Sequence, residues 1–297
     1  MQMKPTDFKS QKITDNTWRI ITPGCDCYLL EGTDEAFMID SGMSAQDIRA
    51  FAQSLTPLPV SRVINTHSHF DHTAGNGFFD VIYGTEGIAR SAKNTMGCDP
   101  ADYKLDYAFT TVQDNDVIAL NGRPLRVIVL DCHAPGNLAI LDEENRLLFP
   151  GDELETGQVL LLPGYAEQPG QIHAKSASTV ETYLHAMQKL KEYSNAFDAI
   201  CPAHNGSPIG KEWLDKYITL AQMVLDGFEG KTDCSSPSYN ASANHFPRPD
   251  ANYRRAEHDG ASLIYCRDLI FDADYPNAAY VKPATDLHIL CKDFARQ

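Results

Sequence analysis

Short runs of apolar and β-branched residues recur along the chain, and residues that favour turns flank each of them. The runs are WRII (18–21), CYLL (27–30), AFMI (36–39), RVIN (62–65), LRVIVL (125–130), LAIL (138–141), RLLF (146–149) and FDAIC (197–201). This length and composition predict β-strands, and several runs have no polar position at all. Those runs predict strands that are buried on both faces of a sheet.

Three longer stretches instead carry apolar residues at helical spacing. They begin after Ser44, which is a predicted N-cap, after Ser178, and at about Lys211. Their apolar positions are Ile48, Phe51, Ala52 and Leu55; Val180, Tyr183, Leu184, Met187 and Leu190; and Trp213, Leu214, Tyr217, Ala221 and Val224. A single apolar stripe predicts a helix that packs one face on a core. Strands with interposed helices and no internal repeat predict an α/β fold whose helices cover the outer faces of a sheet or a pair of sheets.

Three stretches fit neither pattern, namely residues 93–114, 154–175 and 229–260. The first two predict functional lids or disordered segments, because long irregular loops in compact domains are usually one or the other. The third is rich in Ser, Asn, Pro and Asp and leads into the strand-like run ASLIYC (261–266). We therefore predict a main domain over residues 1–228 and a C-terminal appendage over residues 229–297 that packs on it.

Charge and composition narrow the choice of partners. The 297 residues are 43% hydrophobic and 22% charged, and 40 acidic against 25 basic side chains give a net charge of -15. That charge repels a phosphate backbone or an anionic membrane, so we expect a small-molecule substrate, no nucleic acid and no membrane; a homo-oligomer stays open. The N-terminal sequence has no apolar signal-peptide core, which predicts a cytoplasmic protein with reduced thiols at its eight cysteines.

The stretch THSHFDHTAGN (66–76) places three histidines and an aspartate within six positions, 67 to 72. Packing alone does not explain this density of metal ligands. In an extended chain residues i and i+2 share a face, so His67 and His69 can close on one ion. Asp71 and His72, past a bend, can point at a second ion. The spacing predicts two adjacent metal sites, and zinc accepts both imidazole and carboxylate ligands.

Further ligands are expected where a strand ends in polar residues. Asp152 follows the run RLLFPG, and His204 follows FDAICPA. Each of them alone is as typical of a turn as of a ligand. Together with the first motif, Asp152 and His204 predict additional metal ligands.

These motifs, in this order over residues 16–226, resemble the metallo-β-lactamase superfamily. The resemblance implies an αββα sandwich, in which two mixed β-sheets are flanked by helices, with a binuclear metal site at one edge. It implies that His67 and His69 bind the first metal and that Asp152 bridges the two metals. The second metal would be bound by Asp71, His72 and His204.

The third ligand of the first site departs from the family pattern. The family has a histidine after a Pro-Gly pair, whereas this chain reads HAPGN, with His133 at its start and Asn137 at its end. Three arrangements are open: Asn137 binds through its oxygen, His133 binds instead, or the first site is weakly occupied and a mononuclear centre remains. We predict a working but weaker first site with Asn137 as a ligand and His133 behind the ligands, because an amide oxygen binds zinc less well than imidazole. On this interpretation Asn137→His would tighten metal binding.

The predicted function is that of a metal-dependent hydrolase that uses metal-activated water on a small ester, thioester or lactone. The cofactor would be Zn²⁺, at one or two ions per chain, with Fe or Mn as the alternative. Asp71 or Asp152 would take or relay the proton, and Tyr165 and Arg254 are candidate substrate-binding residues. Two alternatives remain: an iron-dependent redox enzyme of the same fold, or a catalytically impaired metal-binding protein, since Asn137 replaces a ligand histidine. Diiron members of the family carry glutamate where His69 stands, which argues against the first.

Overall fold

The structure is a computed structural model that describes residues 8–95, 97–161, 179–232 and 253–274. The strands are β1 (Lys9–Thr14), β2 (Thr17–Ile21), β3 (Asp26–Glu31), β4 (Ala36–Ile39), β5 (Val60–Ile64), β6 (Val81–Gly84), β7 (Phe109–Thr111), β8 (Val117–Ile118), β9 (Leu125–Val129), β10 (Leu138–Asp142), β11 (Leu147–Phe149), β12 (Val159–Leu161), β13 (Ala199–Ile200), β14 (Ile209–Gly210), β15 (Tyr253–His258) and β16 (Ala261–Cys266). The helices are α1 (Ile48–Leu55), α2 (Phe70–Thr73), α3 (Glu86–Ser91), α4 (Val180–Glu192) and α5 (Glu212–Leu225), with 3₁₀ turns at Asn76–Phe78 and Pro100–Asp102.

The strands form three sheets. One has seven strands in chain order, β1 to β7, and the second has six strands in the order β14-β13-β11-β10-β9-β8. The third has the order β12-β16-β15. Within the first sheet β4 runs parallel to β5, and within the second β11 runs parallel to β13. Parallel neighbours end at the same edge of a sheet, which is where ligand sites of α/β proteins form.

The two large sheets pack face to face, and the helices cover their outer faces. Alternate residues of the strands point into the sandwich, for example Tyr28 and Leu30 of β3 against Val127 of β9. The intervening residues face outward, where Leu29 of β3 packs near Ile48 of α1. On the other side, α4 and α5 pack on the outer face of the second sheet. This layering confirms the predicted αββα sandwich and the strands buried on both faces.

All eight predicted strands are present, as β2, β3, β4, β5, β9, β10, β11 and β13. The three predicted helices are α1, α4 and α5. The predicted N-cap of α1 is wrong by three residues: Asp47 caps the helix by accepting a hydrogen bond from Ala50 N at 2.9 Å. Ser44 accepts a hydrogen bond from Gln46 N instead, so it closes the turn that precedes the helix.

The prediction of irregular structure is wrong for parts of all three stretches. Strand β7 lies within residues 93–114, β12 within 154–175, and β15 within 229–260. Strands β7 and β12 have three residues each, which is too short for a recognisable sequence pattern. Each is stabilised by pairing with a parallel strand. Strands β15 and β16 join β12 in the third sheet; the boundary between a main domain and an appendage at residue 228 stays a prediction. No helix in the described ranges is long and apolar enough to be a membrane span.

A buried ion pair joins the two large sheets at one end. Arg123 donates to Asp142 Oδ2 through Nε at 2.7 Å and to Thr17 Oγ1 through Nη2 at 2.5 Å. The side chains of Arg123 and Asp142 are 1% and 0% exposed. Thr17 belongs to the first sheet and Asp142 to the second, so the arginine ties the sheets together.

We expect Arg123→Met to lower the free energy of unfolding by about 3–5 kcal/mol, because it leaves the Asp142 charge buried without a partner. Urea denaturation would measure this. The exposed pair of Arg90 and Glu86 provides the control, and Arg90→Met should leave the denaturation midpoint nearly unchanged. The double variant Arg123→Met/Asp142→Leu should recover most of the loss; a small loss in Arg123→Met itself would contradict the assignment.

Candidate metal centre

The candidate ligands lie just beyond the carboxyl ends of strands from both large sheets. His67 follows β5, Asp152 follows β11 and His204 follows β13. Gly151 makes the close approach of the two sheets possible, since its φ is +60° and an added Cβ would lie 2.5 Å from Thr66 Oγ1. Residues from distant parts of the chain therefore converge at one edge of the sandwich.

The first cluster comprises three imidazole groups and one carboxylate. His69 Nδ1 lies 3.0 Å from His67 Nε2 and 3.2 Å from His133 Nε2. Asp152 Oδ2 lies 3.7 Å from His67 Nε2 and 3.6 Å from His133 Nε2. The four ligand atoms all lie within 4.8 Å of one another, which is close enough to surround one ion.

The second cluster comprises Asp71, His72 and His204. Asp71 Oδ2 lies 3.6 Å from the Nε2 atom of each histidine. Asp152 Oδ1 lies 3.2 Å from the same two Nε2 atoms. One oxygen of Asp152 thus faces each cluster, which is the arrangement expected of a carboxylate that bridges two ions. Asp71 and His72 reach this position because the chain turns into α2 after His69.

Two buried atoms support the fit of a metal to these residues. His72 Nε2 and Asp152 Oδ1 are 3.2 Å apart, yet among the described residues neither has a hydrogen-bond partner. Buried polar atoms without partners are rare, and an ion between them would satisfy both. Imidazole nitrogens with carboxylate oxygens are the donor set of zinc and related divalent metals.

The histidines of the first cluster are neutral. Burial lowers the pKa of His67 and His133 and, with the adjacent His133, lowers the pKa of His69 to about 4. Neutral imidazole is the form that binds a metal, because a protonated nitrogen has no lone pair to donate. The first cluster therefore needs no proton to leave before it accepts an ion.

The second cluster attracts positive charge. Burial opposes the charged form of His204, but the Asp152 and Glu155 carboxylates outweigh it and raise the pKa of His204 to about 10. Burial also disfavours the ionised form of Asp152, yet His204 and His72 hold the pKa of that carboxyl well below its usual range. Asp152 is thus ionised, and the carboxylates around the second cluster stabilise a cation there.

Asp40 orients His72 and was missed by the sequence analysis. Its Oδ2 accepts a hydrogen bond from His72 Nδ1 at 2.8 Å, which leaves His72 Nε2 to face Asp71 and Asp152. Thr66 holds the same carboxylate through N and Oγ1, both at 2.8 Å. The available signal was positional, because Asp40 is a carboxylate directly after the buried strand β4.

We expect Asp40→Asn to weaken binding of the metal at the second cluster by about 10- to 100-fold, the usual effect of losing a carboxylate behind a ligand histidine. Competition titration with a chromogenic chelator would measure the two affinities separately. Asp80→Asn, at an exposed carboxylate that pairs with Arg49, provides the control. Equal affinities in the Asp40 variant and the original protein would exclude the assigned role.

His133 is held in place by two segments that follow β11. Its Nδ1–H donates to Leu160 O at 2.9 Å, and its backbone N–H donates to Glu153 Oε2 at 2.9 Å. Burial raises the pKa of Glu153 to about 7, while the hydrogen bonds from His133 N and Asn137 favour its ionised form. The imidazole of His133 therefore presents Nε2 to the first cluster.

Asn137 as the third ligand stays a prediction, and both polar atoms of its amide have hydrogen-bond partners in the protein. Asn137 Oδ1 accepts a hydrogen bond from Cys132 N at 2.7 Å, and Asn137 Nδ2 donates to Glu153 Oε2 at 2.7 Å. Both polar atoms of the amide are thus hydrogen-bonded, one to Cys132 in the same loop and one to Glu153 after β11, and Asn137 is 2% exposed. His133 presents Nε2 to the first cluster, and Asn137 braces the loop that carries it.

The structure describes one of the two candidate substrate-binding residues, Arg254, but not the other, Tyr165. Tyr165 lies outside the described residues. Arg254 lies in β15, and its Nε is 3.5 Å from Glu229 Oε1 on a side chain that is 14% exposed. Its positive charge is therefore partly balanced by Glu229, and its contact with a substrate stays a prediction.

Comparison with known proteins agrees with this geometry. The family model described as "Metallo-beta-lactamase superfamily" matches residues 21–204, more than half of the chain. The chain belongs to this superfamily. Its solved structural neighbours include a metallo-beta-lactamase from Pontibacter korlensis, with a TM-score of 0.55 and 17% identity over 72% of this chain and 99% of the other. A metallo-beta-lactamase from Erythrobacter litoralis has the same TM-score and 16% identity over 74% and 99% of the two chains. At these identities the likeness shows the fold alone.

Relatives in this superfamily include named hydrolases. A hydroxyacylglutathione hydrolase from Rhodospirillum rubrum is 32% identical over 124 residues, which are 41% of this chain and 44% of the relative. An acyl-coenzyme A thioesterase, MBLAC2 from Gallus gallus, is 22% identical over 209 residues, or 60% of this chain and 71% of the relative. The chain thus spans less than half the length of the first of these superfamily relatives.

Proposed function

We propose that the protein is a zinc-dependent hydrolase of small thioesters with two metal ions per chain. The observation that carries the proposal is Asp152, whose two carboxylate oxygens face two separate clusters of histidines. His67, His69 and His133 would hold the first ion, and Asp71, His72 and His204 the second. A bound pair of divalent cations supplies Lewis acidity, which activates water and polarises a carbonyl group.

The two carboxylates take different parts in this proposal. Asp152 is surrounded by imidazoles on both sides, and its side chain is 11% exposed, so its part is to bridge. Asp71 is 21% exposed and lies beside His72 and His204 of the second cluster. Its carboxylate lies on the more open side of the site, where it can hold the proton that the attacking water loses and pass it to the leaving group.

The choice of thioester rests on the relatives. Hydroxyacylglutathione hydrolase and acyl-coenzyme A thioesterase are both named for an acyl group carried on a thiol. A thiolate leaves more readily than an alkoxide, so a metal site with one carboxylate proton carrier suits this reaction. The proposal includes a small-molecule substrate in the cytoplasm, without nucleic acid or membrane partners.

The alternative of a catalytically impaired protein was based on Asn137 replacing a ligand. His133 offers a third imidazole to the first cluster, which supports an active enzyme. The iron-dependent redox alternative has the same ligands available, so the metal that the protein takes up distinguishes it.

Elemental analysis of the purified chain, followed by assays after loading with zinc, iron or manganese, tests the proposal. We expect close to two zinc ions per chain and thiol release from acyl-coenzyme A or S-acylglutathione at least ~10-fold faster than hydrolysis of the matching oxygen ester. Asp71→Asn is the matched variant and should retain the first metal while losing turnover. Two bound zinc ions without thioester turnover would exclude the substrate class, and iron-dependent oxidation would favour the redox alternative.

A further inference from the structure

We propose that the C-terminal strand pair, β15 and β16, is a positioning element of the metal centre. The strand pair fixes β12, and β12 in turn orients His133 through the carbonyl group of Leu160. Residues 253–266 lie beyond the segment that matches the superfamily, so the family pattern does not predict this role. The inference rests on the proposed function in one respect, namely that His133 binds metal.

The first link is the hydrogen bond between His133 Nδ1 and Leu160 O, at 2.9 Å. A carbonyl oxygen only accepts, so Nδ1 carries the proton and Nε2 has its lone pair free for an ion. His133 Nε2 faces His69 Nδ1 at 3.2 Å and Asp152 Oδ2 at 3.6 Å. The position of one backbone carbonyl therefore sets both the tautomer and the direction of the imidazole.

The second link is the pairing of β12 with β16. Strand β12 has only three residues, and Leu160 at its centre is in register with Ile264. Within the described part of the chain, β16 is the one strand that pairs with β12. A three-residue strand cannot hold its own carbonyl groups in place, because fixing its backbone costs conformational entropy that hydrogen bonds to a partner strand must offset. The position of the Leu160 carbonyl thus depends on β16.

The third link anchors β16 in the body of the protein. All six residues of β16 are buried, and Leu263 and Tyr265 pack in the same core cluster as Tyr217 of α5. Gly230 N donates to Tyr265 Oη at 3.1 Å, and β15 pairs with β16 along its full length. The strand pair is therefore anchored in the core beside α5, and through β12 it connects this core to the first metal cluster.

Leu263→Ala in β16 tests the proposal, and Leu190→Ala in α4 is its matched control. Both leucines are fully buried in one core cluster, so both variants create a cavity of the same chemistry. Within α4, Tyr183 contacts the segment after β11 through its hydroxyl, which donates to Glu153 O. Leu190 lies two helical turns beyond Tyr183, so its truncation is separated from that contact. The two variants should lose similar thermal stability and differ only in their affinity for the first metal.

We expect Leu263→Ala to weaken binding of the first metal about 10-fold or more and to leave the second unchanged, while Leu190→Ala changes neither. Cobalt substitution would report the first site through its visible absorption spectrum. Nitrogen-15 spectra of labelled histidine would show loss of the Nδ1–H tautomer of His133. Unchanged first-site affinity in Leu263→Ala, or an equal loss in Leu190→Ala, would overturn the inference. Should the alanine variants not fold, Leu263→Val and Leu190→Val replace them.

His133→Ala separates this inference from the proposed function. Loss of the first metal in His133→Ala with a normal Leu263 variant would overturn only the role of the strand pair. Retention of both metals in His133→Ala would show that His133 is not a ligand, and the inference would fall with that assignment. Loss of the first metal in both His133→Ala and Leu263→Ala supports the chain of contacts from β16 to the ion.

Discussion

Asp152→Asn is expected to abolish turnover, with a loss of at least about 1,000-fold, which corresponds to about 4 kcal/mol of transition-state stabilisation. The physical reason is that Asp152, alone among the carboxylates of the described residues, faces both clusters, with Oδ2 toward His133 and Oδ1 toward His204. An amide is neutral and offers one good donor oxygen instead of two. The variant should therefore lose affinity for both metal ions together.

Asp71→Asn is the comparison variant, because it should affect one metal ion and not both. The Asp71 carboxylate lies beside His72 and His204 of the second cluster, so its variant should bind one metal tightly and lose the other. Elemental analysis after dialysis, with circular dichroism to confirm the fold, would measure both variants. A protein with Asp152→Asn that retains two tightly bound ions would refute the bridging role.

His133→Ala is expected to lower metal content to one ion per chain and to reduce turnover by about 100-fold or more, because the first cluster keeps only two imidazoles and a shared carboxylate. The fold should survive, since His133 hydrogen-bonds through its backbone N–H as well as through its ring. Isothermal titration of the metal-free protein with zinc would resolve the two binding events.

Asn137→His decides between position 133 and position 137 as the ligand. The sequence alone predicted tighter metal binding for this substitution, whereas the hydrogen bonds of Asn137 predict weaker binding. A histidine cannot reproduce both hydrogen bonds of the buried amide, to Cys132 N and to Glu153 Oε2, so the loop that carries His133 should be disturbed. We expect weaker first-site binding in Asn137→His and no recovery in His133→Ala/Asn137→His. Recovery of a second metal in the double variant would place the ligand at position 137.

Much of the fold was readable from local patterns. Apolar runs such as AFMI and LAIL gave alternating inward and outward contacts because a strand buried on both faces needs apolar residues at every position. The stripes of α4 and α5 likewise became the buried faces of these helices. Short strands such as β12 escaped detection, since three residues carry little periodicity and the pairing partner lies about a hundred residues away.

Some residues of the candidate site could likewise be predicted from local sequence, and others could not. Spacing alone predicted that one motif would supply both clusters, namely His67, His69, Asp71 and His72. It could do so because the end of β5 and the single helical turn of α2 set the directions of these side chains. Asp152 and His204 could be inferred from their positions after buried strands. These are local properties of the chain, and a sequence expresses them directly.

Which side chain of the HAPGN loop faces the first cluster was decided only by tertiary structure. His133 and Asn137 lie on one loop, and Gly136 with its φ of +74° allows the chain to turn between them. Which side chain of the loop faces the first cluster depends on Glu153 and Leu160. Glu153 lies 16 positions after Asn137, and Leu160 lies 27 positions after His133. The strand pair that holds Leu160 lies about another hundred residues beyond. Spacing along a sequence determines which residues can reach a site, but the direction of a side chain in a loop is set by the partners that its polar atoms find after folding.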